Sequence, residues 1–258
     1  MHFTSDEIGA WVGAYMWPLI RIGAFVATAP FFGSRSSPMR VRLIIALALT
    51  IVIAPIVPPV PNIDPISPAG MLVILNQILI GVALGLALHF VFEALVMAGQ
   101  LIAAGMGLSF AAQVDPTNGQ QTPTVSHFYS LFGMLLFLSI DGHLAAISVL
   151  AESFRILPVG EHGLALSSIW DLVSRGTWLF AAALVMSLPV VVALLVVNVA
   201  FGVMTRASPQ LNIFAVGFPI TLTLGFALII MTLPGINTLV TQWVDESLTL
   251  MRHLVAQS

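Results

Sequence analysis

The sequence predicts an all-α integral membrane protein of about six to seven hydrophobic helices in hairpins, and three observations carry that prediction. Of the 258 residues, 59% are hydrophobic and only 7% are charged, whereas soluble domains carry about a quarter charged residues. Such a chain cannot cover its surface against water. The apolar residues also form runs of the length that crosses a bilayer, about 20 residues at 1.5 Å each for a core of about 30 Å. Finally, these runs are too long for barrel strands and lack two-residue alternation.

Taken in order, the first run is Ile8–Phe32. It follows an acidic start, MHFTSDE, where a secretory signal would be basic, and it lacks a small-residue cleavage site, so it reads as a retained span. Arg21 lies inside it and needs a carbonyl, a carboxylate or a route to the interface. A short connection, GSRSSPMRVR (33–42), carries Arg35, Arg40 and Arg42, and the second span is Leu43–Val60. PPVPNIDPISP (58–68) reads as extended, because each proline fixes φ and removes a donor.

Ala69–Ala112 is about twice the length of one span. It is either one very long helix or two helices meeting near His89–Glu93. Phe128–Leu150, Trp178–Met204 and Phe214–Ile236 are predicted as one span each. AQVDPTNGQQTP (112–123), with its Asp-Pro and Asn-Gly, is the most polar connection. Residues 152–176 hold mixed charges as a further separator, and Asp245–Arg252 reads as a short amphipathic tail. In RASPQLNIFAVGFP (206–219), Ser208-Pro209 ends one helix, while Gly217 and Pro219 mark the start of the next.

All eight cations are arginine, and the net charge is −3. No basic patch suggests nucleic acid. Six spans place arginines 35, 40, 42 and 206 on one side, the cytoplasmic one by the positive-inside rule. A hairpin within 69–112 would instead turn Arg206 outward. Cysteine is absent, which removes disulfides and thiolate metal sites, and no cofactor or metal site is expected.

Catalytic signatures are missing: there is no H-E-x-x-H, G-x-S-x-G or P-loop. Asp141-Gly142-His143 reads as a helix end rather than an acid–base pair, because adjacent helical residues do not face each other. His89 and Glu93 stand four apart on one helix face, the arrangement an ion-coupled transporter of a small solute would use. The plainer reading is a carboxylate set against another subunit or exposed to water. Gly99, Gly105 and Gly107 keep a helix region free of bulk ahead of the polar connection. That connection is either a pore loop or a plain extramembrane link.

Four stretches carry a family resemblance. RASPQLNIFAVGFP (206–219), APFFGSRSSPMRVRLIIAL (29–47), GQLIAAGMGLSFAAQVDPTNGQQTP (99–123) and DGHLAAISVLAESFRILP (141–158) together resemble, in matching order, the FliR family of type III secretion export-gate proteins. The resemblance implies a non-enzymatic membrane subunit of the bacterial inner membrane, within the flagellar basal body. It implies FliP-like and FliQ-like partners, several copies of each around one FliR, with FlhB on the cytoplasmic face and FlhA adjacent. Unfolded flagellar proteins would pass through the lumen. Residues 1–175 would be the FliP-like part and 176–258 a FliQ-like hairpin. The central loop would plug the closed lumen, here Gly105, Met106, Gly107, Phe110, Gln113, Asp115 and Gly119, with Phe110 and Gln113 facing the channel. Arg206, Pro209, Gln210, Asn212 and Phe214 would lie at the cytoplasmic entrance, and Arg21 and Glu93 are the charges within spans.

Overall fold

The computed structural model describes residues 5–30, 38–60, 63–108, 124–207 and 213–257. Among these, α1 (Ser5–Thr28), α2 (Met39–Ile53), α3 (Pro68–Gly105), α4 (Thr124–Ser139), α5 (Gly142–Ile156), α6 (Leu166–Ala207) and α7 (Ile213–Ala256) are the α-helices, and no strand occurs. The all-α prediction holds.

The long segment is one continuous helix, α3, with no break at His89–Glu93. Its start is specified locally: the Ser67 hydroxyl accepts the Gly70 N–H at 3.0 Å, and Pro68 occupies the first helical position, where its missing donor costs nothing. The hairpin that would have turned Arg206 outward is therefore absent.

Other boundaries differ from the sequence reading. Helix α2 stops at Ile53 and tightens into a 3₁₀ turn over Ala54–Ile56, where Pro55 cannot supply a helical donor. The expected span Phe128–Leu150 is broken at Asp141, whose backbone is left-handed (φ 55°, ψ 25°). Asp and Asn tolerate that conformation better than most residues. The separator 152–176 is largely helical, shared between α5 and α6, and the tail 245–252 continues α7 without interruption. Helix α6 ends at Ala207, just ahead of Ser208-Pro209. However, α7 already begins at Ile213 and runs through Gly217 and Pro219.

The chain divides into two compact units, and the three longest helices each contribute to both. The first unit contains α1, α2, α3 as far as Val91, α5, the start of α6 and the end of α7. Its core joins Trp17, Ile22 and Phe25 of α1, Ile80, Leu84 and Leu88 of α3, and Val149, Leu150 and Phe154 of α5, all buried. Helices α1 and α3 run in the same direction and nearly touch. A side chain on Gly81 would strike the Arg21 carbonyl and Ala24, and one on Gly85 would strike Thr28. Small residues are what permit backbones to approach this closely.

The second unit contains Phe92–Gly105, α4, α6 from Thr177 and α7 up to Gln242. Here α3 and α4 are antiparallel: Gly99 lies against Ser126, Gly133 against Leu95, and Phe92 meets Phe137 edge-to-face at 5.5 Å. Outward-facing apolar residues are abundant, among them Leu43, Ile44 and Ile51 on α2 and Leu195, Val196 and Val199 on α6. Large exposed apolar faces of this kind belong against lipid or other protein, not water.

Candidate functional site

Sequence reasoning singled out Gly105, Met106 and Gly107, and the structure brings them together as the end of α3. The last turn closes on itself through Met106 N–H to Ile102 O (2.9 Å) and Gly107 N–H to Ala104 O (3.0 Å). Gly107 takes φ +82°, the left-handed cap that glycine alone adopts without steric cost. A helix end leaves carbonyls without intrahelical donors. Here α6 and α7 supply two: Asn198 Nδ2 donates to Gly105 O, and Thr221 Oγ1 to Met106 O, each at 3.3 Å. Each bond contributes about 1 kcal/mol or less at that length.

Apolar packing completes the seat. Met106 is fully buried and fills a notch that exists because residue 225 is glycine. A Cβ there would come within 2.6 Å of Met106 Cγ. Leu194 packs on Gly105 and the Phe218 ring on Gly107. Phe218, Thr221 and Gly225 share one face of α7, and Leu194 and Asn198 one face of α6. The seat therefore joins three helices of the second unit immediately ahead of residues 109–123. Phe110, Gln113, Asp115 and Gly119 lie outside the described residues.

Arg21 is the second predicted residue with a built environment. Fully buried in the first unit, it donates from Nε to Gln77 Oε1 (2.7 Å), from Nη1 to Ser153 O (3.0 Å) and Ser153 Oγ (3.2 Å), and from Nη2 to Leu157 O (2.9 Å). Its guanidinium also lies 4.3 Å from the Phe154 ring centre, a favourable cation–π placement. Of the expected alternatives, carbonyls are the partners. The side chain caps the C-terminus of α5, where a cation is favoured by the helix dipole.

Glu93 is exposed on α3, and His89 is half-buried one turn earlier. Among the described residues no group of histidines and carboxylates is arranged to hold a metal. Arg206 is exposed in the last turn of α6, again the favoured end for a cation. Pro209, Gln210 and Asn212 lie outside the described residues, and Phe214 is helical in backbone at the start of α7.

Asn198 and Thr221 were not singled out from the sequence. Asn198 had a usable signal, being the one amide side chain between Leu179 and Met204. Thr221 had little, because Thr223 and Thr232 share its run and bond back within their own helix, a common resting place for threonine.

Comparison of the sequence with known proteins gives the chain's relatives. A family model described as bacterial export proteins, family 1, matches residues 12–247. The chain is 39% identical to the flagellar biosynthetic protein FliR of Pectobacterium carotovorum, over 99% of this chain and 97% of that protein. It is 36% identical to the FliR of Escherichia coli K12, over 100% and 98%. The FliR of Bacillus subtilis is 30% identical, over 94% and 95%.

Proposed function

The chain belongs to family 1 of the bacterial export proteins, the family of FliR, and on that premise we propose that it is a non-enzymatic subunit of a flagellar protein-export apparatus. Similarity over 99% of this chain and 97% of a flagellar biosynthetic protein FliR is the observation that carries this reading. In it the chain is a multi-pass protein of the bacterial inner membrane, within the flagellar basal body. Together with FliP-like and FliQ-like subunits it forms the core channel for unfolded flagellar proteins. Residues 1–175 are the FliP-like part and 176–258 the FliQ-like hairpin. FlhB meets the cytoplasmic face, FlhA lies adjacent, and residues 206–214 are at the cytoplasmic entrance.

Helix length supports an assembly that stands partly clear of the lipid. At 1.5 Å per residue, α3, α6 and α7 extend about 57, 63 and 66 Å, roughly twice a hydrocarbon core of about 30 Å. On α6 exposed apolar side chains run from Leu166 to Met204, farther than one bilayer can cover, so neighbouring subunits cover the remainder. The glycine-capped end of α3 supports a plug formed from Gly105 to Pro123. A capped helix end packed between two other helices gives a defined root for a segment that occupies the lumen at rest.

The test is complementation of a strain lacking its own family member. The chain restores swimming and secretion of flagellar subunits, and co-purifies with FliP-like and FliQ-like proteins. Deleting 112–119 leaves the complex assembled but leaking ions; failure to assemble would make that loop structural instead. Arg206→Glu lowers secretion more than membrane insertion, and full motility in that variant would remove Arg206 from the entrance. Uptake of a small solute by vesicles holding this chain alone, lost in Glu93→Gln, would replace the export reading by ion-coupled transport.

A further inference from the structure

Among the described helices long and apolar enough to span a membrane alone, α2 with its 3₁₀ turn has the least protein around it. It leans on α1, and its buried residues form one narrow stripe, Ala46, Thr50 and Ile53. The Thr50 hydroxyl donates back to Ala46 O at 2.7 Å, so it needs no partner outside the helix. Leu43, Ile44, Leu47, Ile51 and Val52 are all exposed. Successive residues turn by about 100°, which spreads these five over about 180° of the circumference. A neighbouring helix covers one stripe, as α1 does; a face this wide suits lipid.

Length points the same way. Met39–Ile56 is 18 residues, about 28 Å when its α-helical and 3₁₀ parts are added. That matches one hydrocarbon core of about 30 Å, whereas α3, α6 and α7 are about twice as long.

Charge names the lipid. No acidic residue lies between Glu7 and Asp64, and none stands in the first turn of α2. Arg40 occupies that turn and is exposed, at the helix end where the dipole disfavours a cation. Residues 40, 44, 47 and 51 also follow the i, i+4, i+7, i+11 order of a single stripe. A cation at the repelling end of a helix, above an apolar stripe, fits a phosphate-bearing anion where hydrocarbon gives way to headgroups.

We propose that α2 faces the bilayer directly and that Arg40 binds the headgroup of an anionic phospholipid. Secretion does not enter this inference, so the export reading can fail without touching it. The test is quenching of a tryptophan placed on the stripe, Leu47→Trp, in vesicles holding the chain in its complete assembly. Brominated phosphatidylglycerol and brominated phosphatidylcholine are the quenchers. Subtracting the emission of the same assembly without the substitution removes the five native tryptophans and those of any partner. Both lipids quench, and the anionic one is preferred roughly fivefold. Arg40→Gln brings the two to parity with quenching retained, and Arg40→Lys keeps the preference. Arg252→Gln, which removes an exposed arginine elsewhere in the chain, leaves it unchanged.

No quenching by either lipid would mean that protein covers the face, which overturns the proposal and leaves the export reading standing. Equal quenching before any change at Arg40, or a preference surviving Arg40→Gln, overturns it as well. So does an equal loss in Arg252→Gln, because net charge would then be the cause. Should Leu47→Trp hinder assembly, Ile51→Trp on the same stripe takes its place. If no assembly forms with any version of the chain, the export reading falls, and the full chain alone in vesicles decides the proposal by the same preference.

Discussion

Helices α5 and α3 both end on polar side chains supplied from elsewhere in the chain, and they end very differently. At α5 a buried arginine makes four hydrogen bonds of 2.7–3.2 Å and lies over an aromatic ring. At α3 a neutral amide and a shared hydroxyl make one 3.3 Å bond each, next to a glycine in the left-handed region. Charged donors in the interior form the stronger bonds, and a planar guanidinium arranges several in one geometry. The first end is over-determined and permanent. The second is held just firmly enough to have a defined resting position.

The comparison breaks most visibly at Arg21. Arg21→Met strands the buried Gln77, Ser153 and Leu157 acceptors, at about 1–3 kcal/mol for each group left unsatisfied, so a total loss of about 3 kcal/mol or more is expected. It is read as a large drop in thermal stability of the purified chain in detergent. Arg21→Lys recovers only part, because one ammonium cannot reach both Gln77 and Leu157 in the guanidinium's fork geometry. A methionine variant melting with the wild type would show that the end of α5 does not depend on this cap. Next in size is Gly81→Ala, whose methyl would meet the Arg21 backbone and Ala24. Overpacking of this kind costs about 1–3 kcal/mol, and here it parts α1 from α3, so the same melt records it. An unchanged melting temperature would mean that the two helices are less closely packed than the geometry indicates.

Both helix ends were partly legible in the sequence, and the division follows range. Local signals worked. Ser208-Pro209 marked the end of α6 and Asp141-Gly142 marked the α4–α5 break, whereas the segment expected to run to Ala112 ends as α3 at Gly105. Arg21 announced itself as a charge within an apolar run. Its partners did not, because Gln77 and Ser153 lie 56 and 132 residues away. The same distance hid Asn198 and Thr221. Helix lengths were misjudged for a different reason. Apolar runs report where lipid or protein covers a helix, not where its hydrogen bonding stops, so the polar ends of α5 and α6 read as a separator and that of α7 as a short tail. The family resemblance reached the export family to which the chain belongs, which no local pattern carries.

The smallest effects belong to the ion pairs that the end of α7 makes with α5 and with the start of α6, and they sharpen what sets Arg21 apart. Arg175 meets Glu246 at 3.3 Å, and Arg252 meets Glu152 at the same distance, yet their exposures differ: 15% and 38% for the first pair, 51% and 46% for the second. Exposed pairs contribute about 0–1 kcal/mol and are screened by salt. Arg175→Gln is therefore expected to cost about 1 kcal/mol at low salt and to keep part of that cost in about 1 M salt. Arg252→Gln is expected to cost less than about 0.5 kcal/mol, and nothing at high salt. Arg21→Met should lose its full amount at either ionic strength, because its partners are uncharged acceptors shielded from solvent. If salt erased the Arg21 effect as it erases that of Arg252, burial would not be what makes the α5 end permanent, and the contrast with the α3 end would have to rest on bond number alone.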